Sequence, residues 1–154
     1  MKDQYLTATI ENLPEILLVE DDPEDLELTL RALRNEDIKA TIHVARDGEE
    51  ALDYLFCRGD FNKRSSDRPP TLVLLDLKLP KIDGLEVIEQ VKACAETRSI
   101  PVVVLTSSAE RSDIVESYRL GVNSYIQKPV IGSEFRRAIA TLALYWILLN
   151  RSPA

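Results

Sequence analysis

Basic residues are in short supply. Lys and Arg together number 19 against 26 Asp and Glu, for a net charge of −7. A surface with that balance repels a phosphate backbone or an anionic membrane, so neither nucleic acid nor membrane is an expected partner. Cysteine is scarce too. Cys57 and Cys94 are the only two, too few for a disulfide framework and without metal-ligand spacing. They are expected to be buried small apolar residues in a reducing cytoplasm. His43 is the lone histidine, expected to be structural or solvent-facing and not part of a relay. There is no P-loop, no GxGxxG and no Ser/His/Asp arrangement. No apolar run approaches the roughly 20 residues of a membrane span. The opening residues, MKDQYLTATIENLPE, lack the basic start and apolar core of a secretory signal.

What is present fits one globular domain: 154 residues, 45% apolar and 29% charged. Five short apolar runs alternate with amphipathic stretches: Ile16–Val19, Thr41–Val44, Leu72–Leu75, Val102–Leu105 and Ser124–Ile126. The first, third and fourth are almost continuously Val, Ile and Leu, as in strands buried on both faces of a parallel sheet. The second and fifth are mixed and suit the edges. Helices are predicted after Asp25, after Asp47 with Glu50 as a capping box, from Gly84, around Ile114–Tyr118, and from about Ser133 to about Asn150. The polar Arg58–Pro70 loop is expected to be solvated. This alternation predicts an α/β doubly wound parallel sheet, and right-handed crossovers favour the order 2-1-3-4-5.

In such a sheet ligands bind at the carboxyl ends of the strands, where the order reverses. Strand one ends in Glu20-Asp21-Asp22, strand three in Asp76 and strand four in Thr106, while strand five leads to Lys128-Pro129. If Glu20, Asp21, Asp76 and Lys128 converge, three carboxylates face one ammonium. Crowded carboxylates must protonate, pair or bind a cation. Mg²⁺ fits, because it takes one or two carboxylates and keeps water or phosphate oxygens on its other positions. A carboxylate beside it can attack phosphorus and form an aspartyl phosphate. Thr106 can donate a hydroxyl hydrogen bond to a phosphoryl oxygen and Lys128 a point charge.

Four blocks carry a resemblance at this point: Ile16-Leu-Leu-Val-Glu-Asp-Asp22; Leu72-Val-Leu-Leu-Asp76 with Leu79-Pro80 and Asp83-Gly84; Val103-Val-Leu-Thr106; and Tyr125-Ile-Gln-Lys-Pro129. Together they resemble the receiver domain of two-component response regulators, over about Glu15 to Asn150. The resemblance implies a flavodoxin-like receiver fold and a role for each residue. Asp76 is the implied phosphoacceptor. Glu20, Asp21, Asp76 and the backbone carbonyl of Lys78 are the implied Mg²⁺ ligands, with Asp21 a direct one. Thr106 and Tyr125 are the implied switch pair, Lys128 the phosphate-binding lysine, and the bond to Pro129 is expected to be cis. The implied partner is a sensor histidine kinase.

Glu20 departs from the commoner Asp at its position. The longer Arg58–Pro70 loop and the apolar helix Ala138–Leu149 resemble the cyanobacterial regulators that pair with phytochrome kinases. The expected layout is an N-terminal extension over 1–14, a receiver domain over 15–150, a tail over 151–154 and no output domain. A helix docking on a sheet needs one apolar stripe, which Phe135, Ile139, Leu142, Trp146 and Leu149 supply. Leu144, Tyr145, Ile147 and Leu148 form apolar surface beyond it, and a homodimer through that face is expected. Two other readings remain. An aspartate-nucleophile phosphohydrolase usually needs a second acid two residues on, where this chain has Lys78. A receiver that only binds partners would be expected to lack some of the site residues. The expectation is therefore a phosphoacceptor that assists its own phosphorylation, not an enzyme with a separate substrate.

Overall fold

A computed structural model of the chain describes residues 13–34, 37–128, 132–151 and 153. Strands β1 (Glu15–Val19), β2 (Thr41–Ala45), β3 (Leu72–Leu75), β4 (Val102–Thr106) and β5 (Ser124–Gln127) form one sheet. Every pairing is parallel and the order is β2-β1-β3-β4-β5. The helices are α1 (Pro23–Leu33), α2 (Gly48–Leu55), α3 (Gly84–Ala93), α4 (Arg111–Leu120) and α5 (Gly132–Leu144). β3 coincides with its apolar run, β1 begins one residue earlier, at Glu15, and β2, β4 and β5 each extend one residue further, to Ala45, Thr106 and Gln127.

Strand side chains alternate between faces, and the continuously apolar strands supply a core to each. Ile16, Leu18, Leu72, Leu74, Val103 and Leu105 pack with Leu26 and Leu33 of α1 and Phe135, Ile139 and Ala143 of α5. Leu17, Val19, Val73, Leu75, Val102 and Val104 pack with Leu52 of α2 and Val87, Ile88 and Val91 of α3.

The helix starts follow from their caps. The carboxylates of Asp22, Asp47 and Asp83 accept from the backbone N–H three residues on, in α1, α2 and α3. The α2 box is displaced by one position: Glu50 accepts from the N–H of Arg46 at 3.0 Å, just before the cap.

Three expectations change. The Arg58–Pro70 loop is not simply solvated. It carries a short 3₁₀ turn, Gly59–Phe61, and folds back on α2 and β2. His43 stacks on Tyr54 with centroids 4.0 Å apart, Phe61 meets both rings edge-on, and the Arg64 guanidinium lies 3.6 Å from the centroid of Tyr54. Arg64 also pairs with Glu15 at 3.5 Å. Composition hides this because one aromatic and one arginine suffice to anchor a polar loop. Secondly, Cys57 and Cys94 are free and only half-buried. Cys57 lies in the turn that begins the loop, with φ of 54°.

Thirdly, the last helix does not stay α-helical. Tyr145–Leu149 forms a π-helical turn, closed by the Asn150 N–H donating to the Tyr145 carbonyl at 2.8 Å. The wider turn rotates the residues that follow, so the two expected stripes are redistributed. Phe135 and Ile139 are buried and Leu142 and Trp146 pack against the core, but Leu149 is 72% exposed. Leu144 and Ile147 are half-buried against the same core, leaving Tyr145, Leu148 and Leu149 as the exposed apolar members. No helix among the described residues is long and apolar enough to cross a membrane.

Candidate functional site

The polar residues that end the strands prolong the ladder. The N–H of Glu20 donates to the Ala45 carbonyl at 3.0 Å, that of Asp76 to Val19 at 3.1 Å and that of Lys128 to Thr106 at 2.6 Å. Their side chains are thus aimed by the pleat. Glu20 follows Ile16 and Leu18, and Asp76 follows Leu72 and Leu74, each at intervals of two. Both acids therefore share the face that α1 and α5 cover. Gly84 permits the return from Asp76 into α3. A Cβ there would lie 2.5 Å from both the Asp76 carbonyl oxygen and Leu77 Cα, so no larger residue fits without moving backbone.

One carboxylate oxygen each from Glu20, Asp21 and Asp76 lie within 4.8 Å of one another. Glu20 and Asp76 are buried and Asp21 is exposed at the mouth. Buried Lys128 crosses from β5 to meet them. Its Nζ donates to Glu20 Oε2 at 2.8 Å, to Asp25 Oδ2 at 2.9 Å and to Asp76 Oδ2 at 3.5 Å. Asp76 Oδ1 accepts from the Lys78 N–H at 3.2 Å, and Glu20 Oε1 from the Asp22 N–H at 3.1 Å.

Three carboxylates therefore meet one ammonium with Asp21 close beside them, and Glu20 shows the consequence. Burial pushes its carboxyl up to about 7, the nearby Asp76 charge adds to this, and the Lys128 hydrogen bond only partly offsets it. For Lys128 burial acts downward, but the bonds to Glu20 and Asp25 and the charge of Asp76 outweigh it and hold the ammonium above its ordinary value. Lys128 stays charged, and Glu20 is the member that takes a proton when no cation is bound. Three hard oxygen donors with one open side and surplus negative charge fit a divalent cation that retains water or phosphoryl ligands.

Thr106 is fully buried at the end of β4. Its Oγ1 accepts from the Ser108 N–H at 3.4 Å, and the Tyr125 hydroxyl donates to the Ser108 carbonyl at 2.9 Å. Ser108 Oγ donates to Asp113 of α4 at 2.6 Å. Tyr125 thus points at the β4–α4 connection and not at the acidic cluster. Pro129 lies outside the described residues. Asp25 and Ser108 escaped the sequence reading. Asp25 had a faint signal, one helical turn past Asp21, but its contact with Lys128 spans 103 residues.

The family model of the response regulator receiver domain matches residues 16–140, and the chain belongs to that family. It is thus a receiver with the phosphoacceptor role in two-component signalling. It is 41% identical over 138 residues to FilR2, a probable methanogenesis regulatory protein of Methanothrix harundinacea, covering 90% of this chain and 86% of FilR2. The structure of the phosphorylated cyanobacterial phytochrome response regulator RcpA is similar, with a TM-score of 0.85 and 37% identity, covering 92% of this chain and 99% of RcpA. The bacteriophytochrome response regulator RtBRR is 55% identical with a TM-score of 0.74, covering 92% of this chain and 84% of RtBRR.

Proposed function

We propose that Asp76 accepts a phosphoryl group from a phytochrome-type sensor histidine kinase, with Mg²⁺ held by Glu20, Asp21, Asp76 and the Lys78 carbonyl. The observation that carries this is the convergence of Glu20, Asp21, Asp76 and Lys128 within one crevice at the carboxyl ends of β1, β3 and β5. Bound Mg²⁺ supplies positive charge to the transferring phosphoryl oxygens. An Asp76 carboxylate oxygen attacks phosphorus as the P–N bond of the donor phosphohistidine breaks, and the bonding pair stays on the imidazole nitrogen. Lys128 offers a fixed charge to one phosphoryl oxygen and Thr106 a hydroxyl donor to another. Thr106 and Tyr125 report the event through Ser108 to α4. The phytochrome assignment rests on the likeness to RcpA and RtBRR.

The working unit in this reading is the receiver over 15–150, with 1–14 an extension and 151–154 a tail. It acts in the cytoplasm as a phosphoacceptor that assists its own phosphorylation and dephosphorylation. It pairs with a second copy through the end of the last helix, where Tyr145, Leu148 and Leu149 are exposed together. Intact-protein mass spectrometry with acetyl phosphate and Mg²⁺ tests the chemistry. One phosphoryl adduct is expected on the wild type and none on Asp76→Asn or in EDTA. An unchanged adduct on Asp76→Asn refutes the assignment.

A further inference from the structure

Lys128 has three N–H donors and three carboxylate partners. Two of these, Glu20 and Asp76, belong to the acidic cluster fit for a cation. The third, Asp25, belongs to α1 and stands outside that cluster. It accepts from Nζ at 2.9 Å, whereas Asp76 Oδ2 lies at 3.5 Å. The ammonium is therefore held toward Glu20 and α1 rather than toward the acceptor. The Asp25 side chain is 37% exposed against 6% for Lys128, so Asp25 offers a partly solvated carboxylate at the rim to a buried cation.

We propose that Asp25 is a positioning residue that latches Lys128 in the unphosphorylated state, and that a phosphoryl group on Asp76 must draw the ammonium away from it. This rests on Asp76 being the acceptor. Asp25 touches no reacting atom and acts only through Lys128. It sets how strongly the phosphorylated state is favoured, because contact with the phosphoryl group is gained at the expense of this bond. The release also changes the first turn of α1, where the freed carboxylate of Asp25 joins Glu24 near the helix N-terminus.

The test uses the full chain with beryllofluoride and Mg²⁺ as the phosphoryl probe, and isothermal titration as the readout. Asp25→Asn keeps the shape and removes the charge that competes for the ammonium. A partly exposed ion pair is worth up to about 1 kcal/mol, so beryllofluoride is expected to bind about fivefold tighter. Glu24→Gln removes a charge from the same turn and controls for a general field effect; it is expected to change affinity less than about twofold. In the Lys128→Met background, Asp25→Asn is expected to have no effect. In metal-free protein, the side-chain ammonium signal of Lys128 by ¹⁵N NMR is expected to shift in Asp25→Asn and to stay in Glu24→Gln. Unchanged or weaker binding by Asp25→Asn, an equal gain in Glu24→Gln, or a gain that persists without Lys128 each overturn the latch. Those outcomes leave the acceptor assignment standing. Failure of the wild type to bind beryllofluoride would instead overturn both.

Discussion

Glu20 makes the metal-free protein sensitive to pH in a direction opposite to ordinary acid denaturation. Its carboxyl is raised from 4.5 to about 7, first by burial. Between those values the folded protein holds a proton that the unfolded chain has released. Stability from this group is therefore complete below pH 4.5 and is lost as pH rises through about 7. One pKa unit corresponds to about 1.4 kcal/mol, which sets an upper bound of about 3 kcal/mol. Glu20 shares its shift with Asp76 and Lys128, so about 2 kcal/mol is the working figure. For a chain of this length that is a fall in Tm of about 4–8 °C between pH 5.5 and pH 8. Glu20→Gln carries no titrating group at this position. The gap between it and the wild type should therefore widen in the variant's favour by about 2 kcal/mol between pH 5.5 and pH 8. Calorimetry in EDTA measures both. His43 opposes part of the effect: burial lowers its pKa from 6.5, so its share of stability is present above pH 6.5 and lost on acidification. Comparing Glu20→Gln with the wild type cancels that share. Adding Mg²⁺ should flatten the wild-type slope, because the cation replaces the proton. Equal slopes for Glu20→Gln and the wild type in EDTA would refute the account of Glu20.

Gly84→Ala should cost about 1–3 kcal/mol through backbone overlap at Asp76 and Leu77; urea melts check this, and a parallel Mg²⁺ titration should weaken as Asp76 is displaced. Leu148→Asp with Tyr145→Asp should leave the melting temperature within a few degrees, since both side chains are exposed, while turning the proposed dimer into a monomer by light scattering at micromolar concentration. A wild type that is monomeric with and without beryllofluoride removes the dimer.

Much of this molecule is local in origin, and that part was legible in the chain. Five apolar runs, their Val, Ile and Leu content and the polar residues ending four of them determined the strands, the parallel order and the edge on which chemistry sits. The reason is that strand alternation is a period-two rule: an acid two residues past Leu18 or Leu74 must point where those leucines point. Their place at the carboxyl ends of the strands marked Glu20, Asp21, Asp76, Thr106 and Lys128 as candidates. Only tertiary closure decided which carboxylates share Lys128, for Asp25 is joined to it by no local pattern. Tertiary packing likewise folded Phe61 and Arg64 onto His43 and Tyr54. It placed Leu144 against the core, and it set the π turn at Tyr145–Leu149, in which Ile147 packs inward and Leu149 is left outside. Helical periodicity assumes a constant turn, and one widened turn rotates everything beyond it. The charge of Glu20 belongs to this second class as well. Its residue type allows it to ionise at 4.5, and only burial beside Asp76 and Lys128 raises that to about 7, because desolvation is a property of the packed crevice and not of the chain.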